Sequence, residues 1–332
     1  MELLKKLTQT CSPSGNEEGI REIIKSEVEK FADDVFTDAL GSLVVHIKGN
    51  GKRAMICAHA DEIGVMVTFI DEKGFLRFSP VGGLDKYCCL YQRVRFLNGA
   101  VGVVGYEEAI DDMKELKLSN MYIDIGAKSK EEAEKIVSVG DMAVFEGNLE
   151  TAGDNIISKA LDNRIGVYIL IDVIKHIKNS PYDLYFVFSS QEEVGLRGAK
   201  GASFDVNPDV ALAVDVTDTG DTPNCKRMAV KMGEGACIKV MDKSVICSKS
   251  VRDCLTDVAE QKDIKVQYEV LDCGGTDAGA MQLNRGGVLT GAVSVPTRYI
   301  HTPSEIVNIN DVNECIRLIN AFLEKDMFGE QL

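Results

Sequence analysis

Five residues spread along this chain are of the types that hold divalent cations: His59 in AHADEIG, Asp162 in SKALDNRIG, Glu193 in SSQEEVGLRGA, Asp215 in ALAVDVTD and His301 in TRYIHTPSE. Imidazole nitrogen and carboxylate oxygen are the usual donors to borderline cations such as zinc. Two imidazoles and three carboxylates suffice for a pair of ions with one carboxylate bridging them, the arrangement of a two-metal hydrolase. The chain has only 4 histidines, and two of them belong to this set. Glu192, beside Glu193, is a further carboxylate with no evident structural task. Each residue also has a plainer reading. A histidine at a strand end is commonly a satisfied core or surface group, a Glu-Glu pair a solvated loop, and Asp162 the N-cap of the helix that follows it.

The elements that would carry these residues place them together. LVVHI at 43–47 and RAMICA at 53–58 read as strands, and the second is continuously apolar up to His59, as a buried central strand would be. After residue 158 strands alternate with helices. A helix over 163–178 is followed by the strands DLYFVFSS and VALAVDV, a helix near 249–262, the strand VQYEVL and a short helix near 276–284. The strand GVLTGAVSV and a closing helix, DVNECIRLINAFLEK, complete the chain. Such alternation predicts an α/β fold with a mostly parallel sheet covered by helices on both faces. His59 and Asp61, Glu192 and Glu193, and Asp215 then fall at the carboxyl ends of three strands, where open α/β sheets bind their ligands. His301 comes from the loop after the last strand.

Between 65 and 157 the pattern differs. Short alternating runs such as VMVTFI, RVRFL and VGVVGY are separated by DEKG, LNG and VGD turns, with one short helix near 129–138. This predicts a β-rich, barrel-like domain inserted into a catalytic domain made of 1–64 and 158–332. Two S-x-x-E patterns, Ser14 to Glu17 and Ser129 to Glu132, read as capping boxes opening helices at 14–31 and 129–138.

Bulk properties narrow the function. The net charge of −15 offers no basic footprint for a phosphate backbone, so nucleic acid is not an expected partner. No apolar run approaches the ~20 residues of a membrane helix, and the N-terminus lacks the apolar core and cleavage site of a signal peptide. Ten cysteines without a C-x-x-C pair fit reduced, buried thiols and a cytoplasmic location.

Taken in order, the segments SPSGNEE, HAD, LDNR, QEEVGLRGA, GGTDA and YIHTPSE make the chain resemble the tetrahedral (TET) metallo-aminopeptidases, a zinc-peptidase-like group that includes glutamyl aminopeptidases and enzymes once called cellulases or endoglucanases. The resemblance spans nearly the whole chain. It implies two divalent ions, zinc or cobalt, one held by His59, Asp162 and Asp215 and the other by Asp162, Glu193 and His301. Asp61 would orient His59, and Glu192 would serve as general base in removing N-terminal residues from peptides. The resemblance further implies that the insertion pairs subunits into dimers, and that six dimers close a hollow tetrahedral dodecamer. Asn163 departs from the family pattern, which more often has a second Asp there. Asp277, in the glycine-rich CGGTDAGA, is the candidate for substrate binding, with helix capping as its alternative. A carboxypeptidase or deacylase of the related two-metal group would carry its extra domain between Asp215 and His301, whereas here it falls between His59 and Asp162. A glycosidase would need two carboxylates without metals and, commonly, aromatic platforms; the chain has no Trp.

Overall fold

The computed structural model describes residues 1–329, so the last three positions of the α/β portion expected to reach 332 lie outside the described residues. Helices α1 (Glu2–Gln9) and α2 (Glu18–Val28) lead into strands β1 (Asp34–Thr37), β2 (Leu43–Ile47) and β3 (Arg53–His59). Six strands follow: β4 (Gly64–Ile70), β5 (Leu76–Val81), β6 (Arg93–Phe96), β7 (Val101–Tyr106), β8 (Met121–Asp124) and β9 (Met142–Phe145). Short helices α3 (Lys86–Cys89) and α4 (Lys130–Ala133) lie among them. The chain returns through β10 (Glu150–Ala152), β11 (Asn155–Ser158), α5 (Leu161–His176), β12 (Asp183–Ser189), α6 (Arg197–Val206) and β13 (Val210–Thr217). It ends with β14 (Ala236–Met241), α7 (Lys249–Gln261), β15 (Val266–Val270), α8 (Asp277–Gln282), β16 (Leu289–Arg298), β17 (Glu305–Asn308) and α9 (Ile309–Glu324).

One 11-stranded sheet runs β1-β2-β12-β3-β13-β16-β17-β11-β10, with β14 beside β16 and β15 beside β14. Its central strands β12, β3, β13 and β16 are parallel, the strands that flank them (β2, β14 and β17) join antiparallel, and the edge strand β15 pairs with β14 in parallel. The sheet is therefore mixed, parallel where it is deepest. Parallel strands need cover on both faces, and the side chains divide accordingly. Along β3, Ala54, Ile56 and Ala58 join a core formed with α1, α2, α5, α7 and α9, whereas Met55 and Cys57 join a second core under α6 and α8. All eight residues of β13 are buried.

Strands β4-β5-β8-β7-β6-β9 close into a barrel with its own core, which includes Val65, Val67, Leu76, Phe96, Val104 and Ile123. β10 and β11 follow it in sequence but pair into the large sheet through β17. The barrel thus leaves the sheet at the end of β3 and returns just before α5.

The first expected capping box does not form. Helix α2 begins at Glu18 without a side-chain cap, because the Ser14 hydroxyl donates to Asp61 Oδ2 at 2.6 Å while Glu17 Oε1 accepts from the amides of Gly15 and Gln191. Long-range partners outcompete the local cap. The second box is partial: Ser129 caps Glu132, but the helix stops at Ala133.

Candidate active site

β3 delivers His59 at its carboxyl end, β12 leads into Glu192 and Glu193, and β13 carries Asp215. Asp162 sits in the first turn of α5 with non-helical dihedrals (φ −76°, ψ 104°), and the helix cap is Ala160, so Asp162 is not an N-cap. His301 lies between β16 and β17. These segments bring the side chains into one cluster. His59 Nε2 is 3.0 Å from Asp162 Oδ1, 3.7 Å from Asp215 Oδ1 and 3.8 Å from Glu192 Oε2. His301 Nε2 is 3.3 Å from Asp162 Oδ2 and 3.1 Å from Glu193 Oε2. Two groups of possible donors result, His59 with Asp162 and Asp215, and Asp162 with Glu193 and His301. Asp162 belongs to both, one oxygen turned to each histidine. A third group, His59 with Glu192 and Glu193, overlaps them.

The buried Asp61 carboxylate holds the backbone around this cluster. Oδ1 accepts from the Glu192 amide at 3.0 Å and Oδ2 from the Glu193 amide at 3.2 Å, in addition to Ser14. Asp61 Oδ1 also lies 3.5 Å from His59 Nδ1. It therefore orders three site residues at once. Glu305, which sequence reasoning passed over, plays a matching part: its carboxylate, 2% exposed, accepts from the amides of Asp162 and His301, each at 2.9 Å. Backbone strain marks the same segments. Ala160, Gln191, Leu196, Tyr299 and His301 all have φ between +54° and +62°. Non-glycine residues are held there at a cost on the order of 1–3 kcal/mol each, as is common where function fixes geometry. Gly82 and Gly83, on the barrel loop after β5, were also missed. A Cβ on Gly82 would lie 3.1 Å from Glu193 Cβ, and one on Gly83 would lie 3.0 Å from His301 Nδ1.

The charges are unbalanced. Four buried carboxylates, Asp162, Glu192, Glu193 and Asp215, face two imidazoles. Burial pushes the carboxyls of Glu192 and Asp215 well above the usual carboxylate range and raises Glu193 as well. Asp162 is held low against burial by His301 and His59. Burial alone would lower the His59 pKa, but Glu192, Asp162, Asp61 and Asp215 together raise it well above its ordinary value. Glu193 Oε1 is buried without a hydrogen-bond partner. An anionic pocket of oxygen and imidazole donors with an orphaned lone pair fits divalent cations and little else. Asn163 turns away from the cluster: Nδ2 donates to the Val214 carbonyl and Oδ1 accepts from the Gly166 amide.

A cavity of about 510 Å³ opens over the cluster, walled further by Leu196, Asp218, Lys239, Gly275 and Ile300. Lys239 is buried and pairs with Glu269 and Asp242. Asp277 is not brought to this cavity. Its carboxylate, 2% exposed, accepts from Ser189 at 2.5 Å and Cys57 at 3.2 Å behind the strand ends, and Thr276 is the cap of α8.

The α/β sheet thus carries the cluster at its strand ends, with the barrel set between the first and second possible donors. The M42 glutamyl aminopeptidase family model matches residues 41–318, and the chain belongs to that family. It is 53% identical over 318 residues to a protein of Acetivibrio thermocellus, covering 96% of each chain. Among solved structures, an aminopeptidase of the archaeon Desulfurococcus kamchatkensis superposes with a TM-score of 0.94 at 38% identity, covering 98% of this chain and 94% of its own. The TET1 peptidase of Pyrococcus horikoshii, which can assemble into a tetrahedron or a large octahedral shell, superposes with a TM-score of 0.88 at 36% identity, covering 98% and 99%. Among the described residues no helix is long and apolar enough to cross a membrane.

Proposed function

We propose that this aminopeptidase is dinuclear, with one divalent ion held by His59, Asp162 and Asp215 and a second by Asp162, Glu193 and His301. The observation that carries the reading is the Asp162 carboxylate, which turns one oxygen to each histidine in the middle of an excess of buried negative charge. Bound there, two zinc or cobalt ions would acidify a water and polarise the scissile carbonyl. Glu192 is the general base. Its side chain lies beside His59 and, among the described residues, has no hydrogen bond of its own, which leaves it free to take a proton from the attacking water and pass it to the leaving amine. Asp61 positions His59 and both glutamates. Asp277 supports the strand ends from behind and does not bind substrate. The free amine of the peptide N-terminus is recognised beside the carboxylate excess, which confines cleavage to the first residue.

Glu192→Gln tests this assignment. Metal content by elemental analysis should match the unaltered protein while turnover falls by about two to four orders of magnitude, the usual contribution of a general base. Turnover near normal removes Glu192 from the mechanism. An N-acetylated peptide should resist digestion while its free-amine counterpart yields a mass ladder from the amino end alone. Internal cuts would refute the exopeptidase geometry.

We assign the protein to the cytoplasm, where its ten cysteines, none in a disulfide, stay reduced. The barrel is proposed as the dimerisation surface, with Leu97, Val101 and Val103 exposed on it, and a tetrahedral dodecamer as the full assembly. Light scattering should then find a particle about twelve times the 36.2 kDa chain; a metal-loaded monomer at micromolar concentration would exclude it.

A further inference from the structure

A second cavity, of about 390 Å³, shares Asp218, Leu271 and Cys273 with the one over the donor cluster. Lys226 and Arg227 line this second cavity and not the first. They sit on a closed loop. At its base the Gly220 amide donates to the Val230 carbonyl, and Asp221 binds Arg298 through both oxygens while accepting from the Met232 amide.

Other cations near the site are spoken for, Lys239 by Glu269 and Asp242, Arg298 by Asp221. Lys226 and Arg227 are both exposed, and among the described residues neither has a salt bridge or a hydrogen bond. Lys226 acts on Asp218 only through space. In a chain where 52 carboxylates outnumber 37 cations, these two adjacent cations on the wall of a cavity that adjoins the active site are free to meet an anion. Asp218 and Asp272 line the same cavity, so an anion is favoured there only beside Lys226 and Arg227.

The first cavity already has room for the residue being removed. The second adjoins it across Asp218, Leu271 and Cys273, and an extended peptide advances ~3.3–3.6 Å per residue, so the part of a substrate beyond the scissile bond can run along this shared wall. A guanidinium fork is the side chain best matched to a carboxylate. We infer that the second cavity receives the part of the peptide beyond the scissile bond and that Lys226 and Arg227 bind its carboxylate, which selects short peptides with a free C-terminus. The inference rests on the aminopeptidase centre proposed above. The carboxylate has two possible sources, the chain terminus or an acidic side chain near it.

The experiment uses the metal-loaded enzyme and an N-terminal residue X, chosen as the one whose p-nitroanilide is cleaved fastest. X-Gly-Gly, X-Gly-Gly-amide, X-Gly-Glu-amide and the p-nitroanilide are compared for the unaltered protein, Arg227→Ala and Lys226→Ala. The free acid should exceed the amide by about five- to tenfold in kcat/KM, carried by KM, as expected for one partly exposed charge-assisted contact. Arg227→Ala should erase that advantage and leave the p-nitroanilide, which ends short of the second cavity, unchanged. An X-Gly-Glu-amide as good as the free acid assigns the site to an acidic side chain as well as to the terminus. Hydrolysis of the p-nitroanilide tests the catalytic centre separately, so its failure is distinguishable from failure of this site. Equal rates for free acid and amide would overturn the inference. So would an Arg227→Ala variant impaired only on glutamyl p-nitroanilide, because the cavity would then take the first residue.

Discussion

Glu305→Gln separates a positioning carboxylate from a merely structural one. Glu305 accepts two backbone N–H donors, from Asp162 and His301, and both residues hold backbone conformations that their local context does not favour. A glutamine is isosteric but has one acceptor oxygen and one NH₂ group. It can satisfy one of the two amides and must turn a donor toward the other. Leaving a buried N–H unmade costs about 1–3 kcal/mol. Part of that loss will appear as stability and part as freedom of Asp162 or His301, the two residues that define the second donor group. At about 1.4 kcal/mol per tenfold, the undivided loss equals roughly 5-fold to 150-fold, so zinc affinity at that site should fall by up to that amount, within reach of the 10–100-fold typical of groups that orient ligands. Titrating metal-free protein with zinc against a chromophoric chelator, with thermal unfolding in parallel, gives both quantities. Unchanged zinc affinity together with an unchanged unfolding midpoint would refute the reasoning.

Asp221, which anchors the loop of the second cavity, is held at about 2 chiefly by its hydrogen bonds to Arg298. Its folded pKa lies below the unfolded value of about 3.9, so the stability it supplies is present above pH ~4 and is lost as pH falls toward 2. Asp221→Asn should therefore be less stable than the unaltered protein at neutral pH, with the gap narrowing below pH ~4 in urea unfolding at a series of pH values; a gap independent of pH would refute the assignment. Glu62 is buried between Lys159 and Arg164, and Arg164 also donates to the carbonyls of Leu7, Thr10 and Ser12. Glu62→Gln strands two buried cations and should cost about 3–5 kcal/mol in urea unfolding. A loss of less than about 1 kcal/mol would show that water reaches the pair.

The sequence carried the parts of the site that interrupt a strong pattern. His59 ends a run of apolar residues, and Glu192 and Glu193 follow another, so charge appears abruptly where burial has been continuous. The supporting residues lack such a signal because their partners are remote. Glu305 and Asp162 are 143 positions apart, and Ser14 carries a local capping pattern that its contact with Asp61 overrides. Lys239 hides inside the apolar strand ACIKVM, where only the three-dimensional presence of Glu269 and Asp242 makes it tolerable. Among the elements, β10, β11 and β17 went unseen because they are short and because β11 and β17 find each other only across distant segments; every residue of β10, which pairs only with β11, is exposed. Helix α6, RGAKGASFDV, was concealed by its two glycines, which lower helix propensity. At Gly198 the glycine is needed, since a Cβ there would come within 2.5 Å of the Ser190 backbone.

The order in which the donors lie along the chain also determines when the enzyme can act. His59 leaves the ribosome early, but Asp162 is 103 positions later, with the whole barrel between them. His301 emerges only after β16, the strand that joins β13, β14 and β17. Closing such long loops is entropically unfavourable until the sheet they cross is complete. A growing or truncated chain that has not yet reached β16 and His301 therefore cannot bring the five side chains together, and the cluster forms only once the sheet that carries it is complete.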